Sequence, residues 1–118
     1  MRAKDAVGGY GERVAARFLQ AGGLRVLDRN WRCPAGEIDI VAQDGDVVVF
    51  CEVKTRRSLD YGLPVDAVTP AKVRRLRVLA MQWLGAHEQP FRPVRFDVIS
   101  VVPQRHGAAA VEHHRGAF

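Results

Sequence analysis

The sequence predicts a single α/β domain in which helices flank a mixed sheet built largely from an antiparallel meander. Its predicted element order is α-β-β-β-α-β, with a further short strand expected near the end. Two apolar patterns at helical spacing and four apolar or alternating runs at strand spacing predict this class, together with an Asp-Gly hairpin signal between two of the runs. At 118 residues the chain fits one domain, 1–118, around one core.

The first helix is expected over about residues 5 to 21. Its apolar side chains recur at helical spacing, at Val14, Ala15, Phe18 and Leu19. Gly22-Gly23 ends this helix, because glycine readily adopts the left-handed conformation that closes helices.

Three strands are expected next, over residues 24–33, 36–43 and 46–55. Pro34-Ala35-Gly36 separates the first strand from the second. Asp44-Gly45 separates the second from the third and favours a two-residue hairpin turn in which both turn positions take positive φ. The third strand opens with the apolar run Val47 to Cys51, which suits a strand buried on both faces.

A second helix begins at Thr69-Pro70, after a loop over residues 56 to 68. Thr69 is its expected N-cap, and Pro70 suits the first helical position because the missing N–H would have no partner there. A fourth strand is predicted over residues 94–102, and residues 108–118 are expected to add a short edge strand.

Composition restricts the classes of function. The apolar content of 47% and the charged content of 26% are ordinary for a soluble globular protein. The net charge of +5 fits an anionic partner, of which nucleic acid is the commonest, although charge that serves solubility alone explains it as well. No apolar run approaches a membrane span or a secretory signal, and Cys33 and Cys51 lack the Cys-x-x-Cys spacing of a zinc site. We therefore expect a cytoplasmic protein with two free thiols and no membrane partner.

The exit of the third strand is charged. Because side chains alternate faces along a strand, one face of this strand carries Val48, Phe50, Glu52 and Lys54. On the second strand, one face carries Glu37, Asp39 and Val41, and the other carries Ile38, Ile40 and Ala42.

The hairpin turn decides how these two strands meet. If Asp44-Gly45 forms the turn, Asp39 faces Phe50 and lies diagonal to Glu52, at about 7–8 Å between backbones. Lys54 joins them on the same face. A three-residue turn would shift the register by one and move Asp39 to the wrong face.

Such a group of side chains suits a metal site. Unpaired carboxylates repel one another when water is excluded, and a divalent cation relieves that repulsion. Oxygen ligands favour a hard ion, Mg²⁺ or Mn²⁺, over zinc. Lys54 then assists by orienting a water or by stabilising charge on a phosphate. The alternative is a simple salt bridge between Lys54 and one carboxylate.

The order of Asp39, Glu52, Val53 and Lys54 resembles the (P)D…(D/E)-x-K signature of restriction-endonuclease-like nucleases, with Ile38 where the signature often has proline. Longer strings, among them GYGERVAARFL, RNWRCPAGEIDIVAQDGDVVVFCEVKTR and RFDVI, closely resemble the YraN-like family of small bacterial proteins. That resemblance covers almost the whole chain. The family is similar to archaeal Holliday-junction resolvases.

The resemblance implies a restriction-endonuclease-like core and a role for each matching residue. Asp39 and Glu52 would bind the metal, with the Val53 carbonyl as a further ligand, and Lys54 would be the catalytic lysine. A first-helix glutamate completes the site in the resolvase-like branch, and Glu12 stands at that place. From its spacing alone Glu12 borders the inward face of the helix, and a helix-dipole or capping role stays open.

Several other residues have two interpretations. Glu37 is either a further metal ligand or a solvent-facing residue at the strand entrance. For Asp97, between Phe96 and Val98, a buried salt bridge with an arginine is favoured. Phosphate contacts on a nucleic acid, or solvated helix and loop faces, both explain Arg56, Arg57, Lys72 and Arg75.

These observations support two hypotheses of function. The first is a metal-dependent endonuclease that hydrolyses DNA phosphodiester bonds, at branched or damaged DNA, with Mg²⁺ or Mn²⁺ as cofactor. The alternative is a non-catalytic nucleic-acid-binding or interaction module on the same fold. By analogy with junction-cutting relatives, which pair two sites, a homodimer is also an expectation.

Overall fold

The computed structural model describes residues 3–56, 69–89 and 92–118, with side chains from residue 9 onward. Its elements in chain order are α1 (Ala3–Ala21), β1 (Arg25–Cys33), β2 (Gly36–Asp44), β3 (Val47–Thr55), α2 (Pro70–Ala86), β4 (Val94–Val102) and β5 (Ala110–His114). The predicted α/β class, the element order and the short last strand are confirmed. In the described part of the chain, neither helix is long and apolar enough to cross a membrane.

The five strands form one mixed sheet in the order β1-β2-β3-β4-β5. The first three are an antiparallel meander, β4 runs parallel to β3, and β5 is antiparallel to β4. A parallel neighbour requires a crossover connection, which the segment containing α2 supplies. The central strand β3 is buried on both faces from Val48 to Cys51, as its apolar run predicted.

The helices lie on opposite faces of this sheet, and each covers its own apolar core. On one face α1 packs through Ala15 and Leu19 against side chains from the sheet that include Val49 and Ile99. On the other face α2 packs through Leu79 and Trp83 against a group that includes Val41, Phe50 and Phe96. Glu52 and Lys54 follow Phe50 on the α2 side of β3.

The helix ends agree with the sequence signals. Thr69 is extended, with φ −114° and ψ 157°, and its Oγ1 accepts a hydrogen bond from the backbone N–H of Lys72 at 3.2 Å. This contact satisfies a donor that the helix leaves without a partner, and Pro70 follows at the first turn. At the other helix, Gly23 has φ 92° just after Ala21.

The hairpin between β2 and β3 corrects the predicted register. The turn is Gly45-Asp46 rather than Asp44-Gly45, and Asp44 pairs with Val47. Gly45 has φ 60°, whereas Asp46 is not among the residues with positive φ. One glycine at the first turn position suits a type II′ turn, so Asp44 remains in the strand.

The new register moves the pairing by two residues. Val41 pairs with Phe50 and Ile40 with Cys51, so the prediction that Asp39 faces Phe50 is wrong. Because the shift is even, the faces of β3 stay as predicted.

Away from the turn, the last pair between β2 and β3 is Ile40 with Cys51, so Asp39 lies just beyond the paired part of β2. Ile38 packs in the α2-side core and Ile40 in the α1-side core, although strict alternation put both on one face. Asn30, which lies between the β1 partners of these two residues, has φ 53°. The expected alternation is therefore wrong at Ile38, whose partner on β1 directly follows the residue with positive φ.

Candidate active site

Asp39 is fixed at the point where β2 and β3 separate. Its Oδ2 accepts a hydrogen bond from the backbone N–H of Val53 at 2.8 Å. A carboxylate thus takes the place of a strand partner and holds Asp39 in the gap between the strands. The family resemblance implied a role for the Val53 carbonyl as a metal ligand, whereas the contact with Asp39 is made by the Val53 N–H.

Three carboxylates converge at this gap. One oxygen from each of Glu12, Glu37 and Asp39 lies within 4.8 Å of the others, and we call these residues the acidic cluster. Among the described residues, this is the group with the geometry to hold a metal ion. Glu12 reaches it because α1 passes close to the end of β3: a Cβ on Gly11 would overlap the Thr55 side chain.

The acidic cluster shifts the titration of its own members. Burial, together with the negative charges of Glu12, Glu52 and Glu37, raises the pKa of Asp39 to about 6, against the lowering effect of the hydrogen bond from the Val53 N–H. Burial is also the main cause that raises the pKa of Glu12, with a hydrogen bond to Asn30 opposing it. Both carboxyls are therefore held where ionisation is unfavourable unless positive charge arrives.

Glu52 lies beside the acidic cluster but is bound to lysines. Its Oε1 is 3.1 Å from the Lys54 Nζ and 2.9 Å from the Lys72 Nζ. The predicted neighbourhood of Glu52 and Lys54 is present. The partnership with Lys72 was missed, because a contact between a strand and a helix twenty residues later leaves no local sequence signal. Glu52 does not belong to the group of carboxylates within 4.8 Å that the described residues form.

Several of these side chains line one cavity of about 230 Å³ between the sheet and α2. Its polar lining comprises Glu37, Asp39, Glu52, Lys72 and Arg75, and its floor includes Leu76 and Leu79. Beside it lies a more open depression lined by Thr69, Ala71, Lys72 and Arg75. Cations from α2 therefore face anions from the sheet across one space.

The remaining predicted residues are distributed as follows. The backbone N–H of Arg56 donates to the Val101 carbonyl of β4 at 2.9 Å, so Arg56 extends the pairing of β3 with β4. Arg57 lies outside the described residues. Trp83 is buried in the α2-side core, and Trp31 is partly buried against that core, so neither tryptophan is a free platform for stacking bases.

The predicted buried salt bridge of Asp97 is confirmed. Arg95 donates to both oxygens of Asp97 at 2.9 and 3.0 Å. His113 Nε2 lies 2.7 Å from Oδ2, and the Gly116 N–H donates to Oδ1 at 3.0 Å. His113 had received no role from the sequence. Its partner lies sixteen residues earlier on the neighbouring strand β4, so spacing alone could not find the contact.

Comparison with known proteins adds a family to this geometry. The chain is 60% identical over 116 residues to a UPF0102 protein of Beutenbergia cavernae, an alignment that covers 98% of each chain. It is 55% identical over 118 residues to a UPF0102 protein of Parafrankia sp., which covers 100% of both chains. A third relative, from Kineococcus radiotolerans, is 57% identical over 117 residues and covers 98% of this chain and 96% of its own.

The family model described as "Uncharacterised protein family UPF0102" matches residues 11–101. The matched segment contains every member of the acidic cluster together with Glu52, Lys54 and Lys72. The prediction of family membership made from the longer strings is thereby confirmed. This chain belongs to the uncharacterised protein family UPF0102.

Proposed function

We propose that this protein is a divalent-metal-dependent nuclease that hydrolyses DNA phosphodiester bonds. The observation that carries the proposal is the acidic cluster, which sits where two strands separate and next to the Glu52–Lys54 pair. The resemblance of Asp39, Glu52 and Lys54 to the (P)D…(D/E)-x-K signature supports it. So does the α/β order, which agrees with a restriction-endonuclease-like core. Branched or damaged DNA is the substrate that the similarity to junction resolvases suggests.

The donors fit Mg²⁺ or Mn²⁺. Glu12, Glu37 and Asp39 offer oxygen atoms only, which hard cations prefer, and their mutual repulsion falls when a cation binds. A bound divalent ion would lower the pKa of a water and offset negative charge on the phosphate. The fit is best for the acidic cluster itself, because Glu52 is occupied by two lysines.

The residues around the acidic cluster have separate tasks in this proposal. Asp39 is the anchor, since its hydrogen bond to Val53 fixes one carboxylate oxygen and leaves the other for a ligand. The Lys54 ammonium, with 39% of its side chain exposed, can turn toward a phosphate oxygen and donate to it. Arg75 and Lys72 face the same cavity and supply attraction for the flanking phosphates.

The test is a cleavage assay on junction, flap, single-stranded and duplex DNA with Mg²⁺ or Mn²⁺. The wild type should cleave at least one of these, and Asp39→Asn and Lys54→Ala should each lower the rate by at least about 100-fold. Glu112→Gln, a carboxylate on β5 outside the cluster, is the matched control and should retain the rate. Absence of cleavage, or cleavage that Lys54→Ala leaves unchanged, contradicts the proposal.

The clamp of two lysines on Glu52 also favours a second candidate, a nucleic-acid-binding module without catalysis. In such a module Lys54 and Lys72 would serve affinity directly, and neither Asp39 nor Glu52 would be required for binding. Binding of DNA would then weaken with salt and survive Asp39→Asn combined with Glu52→Gln. Calorimetry with Mn²⁺ separates the two candidates, because a site abolished by Asp39→Asn supports the nuclease.

A further inference from the structure

Two lysines form ion pairs with the single carboxylate of Glu52. Lys54 and Lys72 both reach the same oxygen, Oε1, at 3.1 and 2.9 Å. One ammonium neutralises one carboxylate, so the second adds a positive charge beside the acidic cluster, in a place where the side chains of Glu52 and Lys72 are only 16% and 20% exposed. An excess cation held against an acidic cluster is available to be exchanged.

Lys72 is the member of this pair that comes from a separate element. Its own backbone N–H donates to the Thr69 Oγ1, which fixes the start of α2 and with it the base of the Lys72 side chain. Lys54 belongs to the same strand as Glu52, two residues away on the same face, so its ion pair does not draw Glu52 toward another element. The Lys72 contact is therefore the one that holds Glu52 toward α2.

We propose that Lys72 is a positioning residue that competes with a divalent cation for Glu52. Before a cation binds, Lys72 holds Glu52 on the α2 side of the cavity. When the cation enters the acidic cluster, Glu52 turns toward it, and the released Lys72 ammonium faces the phosphate of the substrate. This inference rests on the proposed function, since it assumes that the acidic cluster binds a cation.

The shared cavity supports the exchange. Glu52, Asp39 and Lys72 all line the same space of about 230 Å³, so Glu52 need not cross a packed core to reach the acidic cluster. The negative charge of Glu52 already acts on Asp39 at its present position. Arg75 lines the same space one helical turn further along α2, so a second cation of α2 remains at the cavity when Lys72 leaves Glu52.

The experiment is a double-mutant cycle on Mn²⁺ affinity, measured by titration calorimetry on the full chain. It uses the wild type, Lys72→Met, Glu52→Gln and the double variant. Lys72→Met should bind Mn²⁺ about tenfold more tightly than the wild type, because its competitor for Glu52 is gone. In the Glu52→Gln background the same change should have almost no effect.

Two further variants separate this role from simple charge and simple structure. Arg75→Met removes another cation that lines the same cavity. If charge alone mattered, this change would alter the Mn²⁺ affinity equally in the wild-type and Glu52→Gln backgrounds. Lys72→Arg keeps the ion pair and should restore wild-type affinity. A purely structural Lys72 would give the opposite sign, since a loosened site binds Mn²⁺ more weakly.

Each outcome separates the two proposals. Tighter binding in Lys72→Met that depends on Glu52 supports the competition, even if the wild type binds too weakly to measure. Wild-type binding that Lys72→Met leaves unchanged, weakens, or tightens equally in both Glu52 backgrounds overturns the role of Lys72 and leaves the metal site standing. Failure of every variant to bind Mn²⁺ overturns the metal site and the competition with it.

Discussion

Asp39 and Asp97 are two carboxylates withdrawn from water on neighbouring parts of one sheet, and their environments are opposite. Asp97 is fully buried, yet hydrogen bonds from His113, Arg95 and the Gly116 N–H outweigh the effect of burial and lower its pKa to about 2. Asp39 accepts its recorded hydrogen bond from Val53, and burial with nearby negative charge raises its pKa to about 6. Burial alone therefore does not set the titration of these groups.

The difference lies in where the counter-charge comes from. Around Asp97 the chain itself supplies the positive charge, through the Arg95 guanidinium, which also donates to Asp44 at 2.9 Å. Around Asp39 the nearest titratable neighbours, Glu12 and Glu37, have the same sign of charge. A carboxylate with all its partners built in serves the fold, whereas one surrounded by like charge is suited to a cation from solution.

The largest effect expected from this comparison is at Asp97. Asp97→Asn should lower the free energy of unfolding by about 3 kcal/mol, because it leaves Arg95 and His113 partly buried without their carboxylate. Urea unfolding at pH 7 measures the loss. Asp46→Asn, at an exposed turn position, is the matched control and should change stability by less than about 0.5 kcal/mol.

The lowered pKa of Asp97 also predicts how the stability of the protein changes at acid pH. Because the pKa of Asp97 is lowered in the folded protein, its contribution to stability is complete above the ordinary value of 3.8 and is lost as the pH falls toward about 2. The wild type should lose this contribution on acidification, and Asp97→Asn should not. If the free energy of unfolding falls equally on acidification in the wild type and in Asp97→Asn, Asp97 is not the stabilising carboxylate described here.

The next effect should have the opposite sign. Asp39→Asn is expected to raise the free energy of unfolding at pH 7 by about 2 kcal/mol, because Asn keeps an acceptor for the Val53 N–H and removes a charge whose pKa is raised from 3.8 to about 6. For such a group, wild-type stability falls as the pH rises from about 4 to about 6. The variant should lack this fall.

Urea unfolding between pH 4 and 8 checks the prediction for Asp39. Saturating Mn²⁺ should reverse the order of stability, since the cation stabilises the wild type and has lost a ligand in the variant. If Asp39→Asn is less stable than the wild type at pH 7 without metal, Asp39 is a structural carboxylate like Asp97 and the contrast fails.

Local patterns anticipated much of the fold and only part of the site. The start of α2 at Thr69 and strand β4 over residues 94–102 were predicted from caps, turns and periodicity, which are encoded in neighbouring residues. The predicted pairing register of β2 and β3 was wrong by two residues, because Gly45 can occupy either the first or the second position of a two-residue turn. The Glu52–Lys72 pair and the displaced Ile38 depend on how distant elements pack, and no spacing within the sequence reports that.

The smallest effect tests how α1 completes the acidic cluster. Gly11→Ala places a methyl group against Thr55, so the middle of α1 must move away from the end of β3 and carry Glu12 with it. Mn²⁺ affinity, measured by calorimetry, should fall by about tenfold, the cost typical of losing a supporting contact around a metal site. Thr55→Ala removes the overlapping atoms and should restore affinity in the double variant. Gly85→Ala in α2, which has open space around it, is the control and should leave affinity unchanged. If Gly11→Ala binds Mn²⁺ as the wild type does, Glu12 is not a ligand, and the acidic cluster reduces to the two carboxylates of β2.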